Sequence, residues 1–313
     1  MSNLKSNLAF IFPGQGSQTL QMLNSFEETA EVKQTFEQAS SAIGYDLWKL
    51  CQEGPVESLN ETDKTQPALL TASVALWNFW KTKGPLPSIM AGHSLGEYSA
   101  LVCAGILDFE TAVKLVEKRG QLMKQAVPAG VGKMAAIIGL DNDKIQLACE
   151  LSAESQIVSP VNYNSPGQTV IAGNADAVER AMQACKEAGA KRALPLAVSV
   201  PSHCLLMKSA SESLEHELSK ISLKQSDIKI INNVDVSIET TEEKIKDALV
   251  RQLYCPVNWS KSIELMGGKG VETLIECGPG KILSGLNRRI ERSLKSLPLQ
   301  DLNTLNQSLE SFY

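Results

Sequence analysis

Gly92-His93-Ser94-Leu95-Gly96 fits G-x-S-x-G, the sharp strand-to-helix turn that presents a serine hydroxyl as a nucleophile. Glycines on either side of such a turn remove side chains where the backbone is tight. A serine there sits at a helix N-terminus, whose free N–H groups stabilise a developing oxyanion. The chemistry implied is nucleophilic catalysis by a serine hydroxyl. At ordinary glycine and serine frequencies the pattern arises by chance ~0.1 times in a chain of this size. Ser94-Leu95-Gly96-Glu97 also fits the S-x-x-E capping box of an ordinary helix. The pentapeptide alone does not separate catalysis from capping.

A serine nucleophile needs a base, and the chain has only 3 histidines: His93, His203 and His216. His93 adjoins Ser94, so its side chain is expected to project away from the hydroxyl and to shape the pocket. His216 lies in Glu212-Ser213-Leu214-Glu215-His216-Glu217-Leu218, a charged stretch that reads as a solvated helix face. His203 follows Val198-Ser199-Val200-Pro201-Ser202 in a loop between two textures of sequence, where a side chain reaches a cleft. The group that orients the imidazole stays open at this level. Asp108, Asp141 and Asp176 fall between serine and histidine but sit in caps or turns, and a backbone carbonyl fixes the tautomer equally well.

These residues need a scaffold. Leu8 to Phe12 reads as a buried strand, broken by the loop Pro13-Gly14-Gln15-Gly16-Ser17-Gln18. That loop is neither a dinucleotide fingerprint, since Thr19 replaces the third glycine, nor a P-loop. Residues 66 to 80, opening Gln66-Pro67, are apolar nearly all round and predict a buried helix. Pro87 to Ala91 is short and weakly strand-like, and a helix follows the elbow to near Gly105. A polar-faced helix runs from about Phe109 to Gln125 and carries Arg119. This is an α/β pattern with a mainly parallel sheet.

The texture changes at Val127-Pro128-Ala129-Gly130-Val131-Gly132. Strands are expected over Lys133 to Leu140, Ile157 to Tyr163, Gln168 to Ala172 and Arg192 to Val198. Helices are expected after Asp141 and after Asn174. The order is βαββαβ, a ferredoxin-like unit inserted into the larger one. The expected division is 1–126 with 200–313 for the large subdomain and 127–199 for the small one.

The 313 residues suffice for a full core. The net charge of -5 argues against a general nucleic-acid binder. The 7 cysteines are widely spaced without C-x-x-C, which fits a reducing compartment rather than disulfides or zinc. The N-terminus lacks the pattern of a signal peptide, and no apolar run approaches membrane-spanning length. A cytoplasmic protein with no metal site and no membrane partner is expected.

Phe12-Pro13-Gly14-Gln15-Gly16-Ser17-Gln18, Thr65-Gln66-Pro67-Ala68, Gly92 to Tyr98, Arg119-Gly120, Asn164-Ser165-Pro166-Gly167-Gln168, Pro201-Ser202-His203 and Gly278-Pro279-Gly280 follow one another in that order. Together they resemble the malonyl-CoA:acyl carrier protein transacylases of bacterial type II fatty-acid synthesis, over about residues 8 to 295. The resemblance implies an α/β-hydrolase-like core with the ferredoxin-like insert. It implies malonyl transfer from coenzyme A to the phosphopantetheine thiol of acyl carrier protein by a ping-pong mechanism. Ser94 then resembles the nucleophile and His203 the base. Gln252 resembles the residue whose main-chain carbonyl orients the histidine, and the N–H groups of Gln15 and Leu95 resemble the oxyanion hole. His93 and Asn164 resemble pocket residues. Arg119 is the expected partner of the malonyl carboxylate, because a guanidinium meets a carboxylate with two parallel hydrogen bonds. Met123, four residues on, shares that face. Without the resemblance, Arg119 reads as an exposed cation paired with Glu117 or a neighbour.

No permanently bound cofactor is implied: malonyl-CoA is substrate, and the carrier protein brings the phosphopantetheine. A monomer is expected. An acidic carrier would dock on basic residues, either Lys281, Arg288, Arg289, Arg292 and Lys295 or Lys186, Lys191 and Arg192; both groups also read as solvated faces. Two rivals share some of these features. A serine thioesterase or lipid acyl hydrolase has the same elbow, but Arg119 and the missing triad acid argue against it. A non-catalytic carrier-binding scaffold would not need the serine and histidine together.

Overall fold

The apolar run Leu8 to Phe12 forms the inner half of β1 (Leu4–Phe12). The chain continues through α1 (Ala30–Ile43), α2 (Leu47–Glu53), α3 (Val56–Leu59), α4 (Thr62–Trp80), β2 (Leu86–Gly92), α5 (Gly96–Cys103) and α6 (Phe109–Ala126). Next come β3 (Gly132–Ile138), α7 (Asn142–Ala153), β4 (Val158–Ser165), β5 (Gln168–Asn174), α8 (Ala175–Glu187) and β6 (Arg192–Pro195). The rest is α9 (Lys208–Ser219), β7 (Lys229–Ile231), α10 (Glu242–Gln252), α11 (Trp259–Gly268), β8 (Thr273–Glu276), α12 (Ile282–Ile290), β9 (Lys295–Pro298) and α13 (Leu302–Glu310). This computed structural model describes residues 4–198 and 200–312. The outermost ends of the expected subdomain spans and Ser199, the last residue of the expected insert, lie outside the described residues.

Among the described residues the strands form two sheets. The first has the order β7-β2-β1-β8-β9 and is parallel throughout. Its middle strand explains why the run Leu8 to Phe12 does not alternate with polar residues. Leu8, Phe10 and Phe12 enter one apolar core with α1, α4 and α6, while Ala9 and Ile11 enter another with Trp259, Ile263 and Leu283. A parallel strand covered on both faces must be apolar on both.

The second sheet has the order β4-β5-β3-β6 and is antiparallel. Ala135, Ile137 and Ile171 point to Ile145, Ala148, Val178 and Ala181 of α7 and α8. The alternate residues Met134, Val161, Val170 and Ala172 point the other way, toward Cys204. Period-two alternation thus gives this sheet one helix-covered face and one face turned to the rest of the molecule. Val257 N–H donates to Val161 O at 2.8 Å and Tyr163 N–H to Val257 O at 3.0 Å, tying β4 to the chain after α10.

Two expected limits shift. The helix expected from residue 66 starts a turn earlier, at Thr62, so Pro67 and Gln66 lie inside it. The fourth strand of the small sheet, expected to reach Val198, ends at Pro195, because Val198 N–H folds back to Leu196 O at 3.0 Å instead of extending the ladder.

Candidate active site

Strand β2 ends at Gly92 and α5 starts at Gly96, so the chain reverses within the intervening residues. Ser94 takes φ 53°, a left-handed conformation that costs an L-residue about 1–2 kcal/mol. A β-carbon on Gly92 would collide with the Gly96 carbonyl, so this close approach requires glycine. The strain is held by Asn233. Ser94 N–H donates to Asn233 Oδ1 at 2.7 Å, and Asn233 Nδ2 donates to Gly92 O at 2.6 Å. His93 N–H donates to Phe12 O at 2.9 Å, which brings the Gly14-Gln15-Gly16 loop beside the elbow. The Leu95 and Gln15 amides have no backbone partner among the described residues, and both residues line the same cleft. The capping-box reading fails. The Glu97 side chain accepts from Asn233 N–H and Gln252, and Ser94 N–H goes to Asn233 instead.

The Ser94 hydroxyl donates to His203 Nε2 at 2.8 Å. His203 Nδ1–H donates to the Gln252 main-chain carbonyl at 2.6 Å. That second bond leaves Nε2 as the acceptor, the tautomer a general base needs. His203 itself is strained, with φ 65°, and its N–H donates to Leu253 O at 2.9 Å. Both bonds come from the C-terminal end of α10, so one helix end fixes backbone and ring together. His203 is 2% exposed. Burial, and then the charge of Arg119, push its pKa down to about 3, so the imidazole is neutral at neutral pH. Among the described residues no carboxylate bonds to His203. Asp108 caps α6 by accepting from Thr111 N–H at 3.0 Å, Asp141 stands before α7 and Asp176 is in the first turn of α8. His216 is exposed on α9.

Arg119 is not the exposed cation its helix suggests. It is 2% exposed, and Glu117 pairs with Lys64 at 3.3 Å instead. Gly120 lets α6 approach α4, since a β-carbon there would lie 2.5 Å from Asp63 Cα. Lys124 bridges the same helices, 2.7 Å from Glu61 and 2.8 Å from Asp63. Across this seam Arg119 Nη1 donates to Gln66 Oε1 at 2.8 Å, and Nη2 donates to Gln252 Oε1 at 3.1 Å. The Tyr98 ring lies 5.4 Å from the guanidinium, and Nε has no partner among the described residues. Burial lowers the pKa of Arg119, but a guanidinium remains charged. A buried cation held by neutral acceptors is an unfinished ion pair.

Ser94, His203 and Arg119 line one cleft of about 90 Å³, together with Gln15, Gln66, Leu95 and Met123. The other wall is the open face of the small sheet, with Met134, Asn162 and Val170. His93 also lines it, 5.6 Å from the Trp259 ring. Its Nε2 donates to Asn164 Oδ1 at 2.8 Å, and burial lowers its pKa. Asn164 therefore acts on the cleft through His93. Among the described residues Asn162 Oδ1 is buried without a partner.

Gln66, Asn162, Asn233 and the side chains of Glu97 and Gln252 belong to this site without having been singled out from the sequence. Gln66 and Glu97 carried a signal, through their places in Thr65-Gln66-Pro67-Ala68 and in Gly92 to Tyr98. Both groups of basic residues are exposed, and among the described residues they form no ion pair. Arg289 Nη1 donates to Gln168 Oε1 at 2.9 Å, joining α12 to β5.

The acyl transferase domain model matches residues 9–303. Malonyl CoA-acyl carrier protein transacylase of Escherichia coli K12 is 59% identical over 307 residues, covering 97% of this chain and 99% of the relative. The protein of that name in Bacillus subtilis is 44% identical over 98% of this chain and 97% of its own. A crystal structure of an acyl carrier protein S-malonyltransferase from Vibrio cholerae superposes with a TM-score of 0.94 at 58% identity, covering 96% of this chain and 99% of that one. A malonyl-transacylase solved in complex with its type II PKS acyl-carrier protein gives 0.96 at 56% identity, covering 97% and 99%.

Proposed function

This chain belongs to the malonyl CoA-acyl carrier protein transacylases of the acyl transferase domain family, and we propose that its transfer of malonyl groups to acyl carrier protein runs through an ester on Ser94. The observation that carries this mechanism is the junction, in one cleft, of a Ser94–His203–Gln252 carbonyl relay with a buried arginine whose hydrogen-bond acceptors among the described residues are neutral.

In the first half-reaction Ser94 Oγ attacks the malonyl thioester carbonyl while its proton passes to His203 Nε2. The oxyanion is received by the N–H groups of Gln15 and Leu95. Collapse expels coenzyme A, whose sulfur takes the proton back from His203. In the second half-reaction the phosphopantetheine thiol of the carrier attacks the ester, with His203 moving the proton again. Arg119 holds the malonyl carboxylate throughout. That pairing does more than select. The Arg119 charge helps keep His203 deprotonated, and a bound carboxylate offsets it, so the correct substrate strengthens the base.

We read the four-stranded unit as a ferredoxin-like insert spanning 127–199 in an α/β-hydrolase-like body of 1–126 and 200–313. It supplies the second wall of the cleft. We read the protein as a monomer and as cytoplasmic, the compartment that the free cysteines favour. A serine hydrolase would release malonate to water. The deciding experiment is intact-mass measurement, first with malonyl-CoA and then with phosphopantetheinylated carrier protein. The mechanism requires one malonyl adduct, located on Ser94, that moves to the carrier and is not lost as free malonate.

A further inference from the structure

Glu97 is a buried carboxyl group, 3% exposed, to which the acyl transfer assigns no task. Its Oε2 accepts from Gln252 Nε2 at 2.8 Å and from Asn233 N–H at 3.0 Å. The Gln252 amide has a donor end and an acceptor end. The donor end reaches Glu97 Oε2 and, at 3.1 Å, Ser94 O; the acceptor end faces Arg119 Nη2 at 3.1 Å. Turned over, the amide would set oxygen against oxygen at Glu97 and N–H against N–H at Arg119.

We propose that Glu97 is a positioning residue for malonyl selection: its Oε2 fixes the direction of the Gln252 amide and so keeps an acceptor against the fork of Arg119. This rests on the reading that Arg119 holds the substrate carboxylate. Burial pushes the Glu97 pKa up to about 7, yet the role survives protonation. Asn233 N–H and Gln252 Nε2 both donate to Oε2, so a proton resides on Oε1 and Oε2 still accepts. The direction of the Gln252 amide is therefore set by the acceptor, whichever protonation state Glu97 holds. Glutamine at 97 can supply the same acceptor; methionine cannot.

The test is single-turnover formation of the Ser94 ester, followed by quenched mass measurement with malonyl-CoA and acetyl-CoA at varied concentration. For E97M the malonyl-to-acetyl ratio should fall about tenfold through a raised KM for malonyl-CoA, beyond any loss that both acyl groups share through Asn233, the size expected for one misdirected polar contact. E97Q should restore the malonyl-to-acetyl ratio to within about threefold of wild type, as a retained acceptor implies. Q252M keeps the main-chain carbonyl that holds His203 and deletes only the amide. It should lose the ratio as E97M does, and adding E97M to it should change the ratio no further. Equal losses for both acyl groups in E97M, an E97Q no better than E97M, or additive effects with Q252M would each overturn the proposal. Should E97M not fold, a wild-type ratio in Q252M overturns it instead. An unchanged ratio in R119A would remove the underlying reading of Arg119, and is scored separately.

Discussion

The two ends of the cleft are built in opposite ways. The proposed nucleophile end rests mainly on the backbone, with the Asn233 side chain holding the turn: a left-handed serine, a glycine that admits the next turn, and the main-chain oxygens of Phe12 and Gln252, which accept from His93 N–H and His203 Nδ1–H. The arginine end is made by side chains from distant segments, with Gln66 on α4, Arg119 on α6 and Gln252 at the end of α10 meeting across helix seams. On the proposed mechanism, the backbone-built end does one reaction on any acyl group it is given. A side-chain-built end can be retuned for a different acyl group without disturbing the first. Gln252 joins them, its carbonyl serving His203 and its amide serving Arg119.

The comparison breaks most completely at Ser94. Ser94→Ala should abolish the acyl-enzyme for malonyl and acetyl alike, and a labelled malonyl adduct surviving that change would move the nucleophile elsewhere. A smaller effect sharpens the account of His203. Unfolded histidine binds a proton below about pH 6.5, whereas folded His203 resists until about 3. Stability contributed by this group is therefore present above pH 6.5 and is lost as pH falls toward 3. Comparing thermal melts of wild type and His203→Gln between pH 7 and 4 should show wild type losing more, and parallel curves would mean that His203 titrates normally. The smallest effect lies outside both ends. Charge reversal at Arg288 and Arg289 should raise the apparent KM for carrier protein several-fold, as expected of exposed charges that guide encounter, with malonyl-CoA kinetics unchanged. An unaltered carrier KM would remove this patch from docking.

The same contrast explains what was legible in the sequence. Ser94 sits in a local pattern whose glycines are required by the turn itself, and His203 stands out because histidine is scarce. The parallel sheet is written in the unbroken apolar run Leu8 to Phe12, and the small sheet in alternation such as Met134 against Ala135. Arg119 was ambiguous by pattern alone, because its helix has a polar face and burial depends on Gly120 meeting α4. Asn233 carried no signal, and Glu97 only its place in the motif Gly92 to Tyr98. Asparagine in a turn after a strand and glutamate in a first turn are commonplace, and Glu97 even fitted a capping role. Their importance exists only once α5, α10 and the segment after β7 converge.

The most direct measurement concerns Arg119→Ala: rates of Ser94 ester formation from malonyl-CoA and acetyl-CoA, beside wild type. Loss of the substrate carboxylate's partner should slow malonyl transfer by about 3 kcal/mol, roughly a hundredfold, and leave acetyl transfer nearly as it was. Equal losses on both thioesters would contradict the division of the cleft into a reacting end and a selecting end.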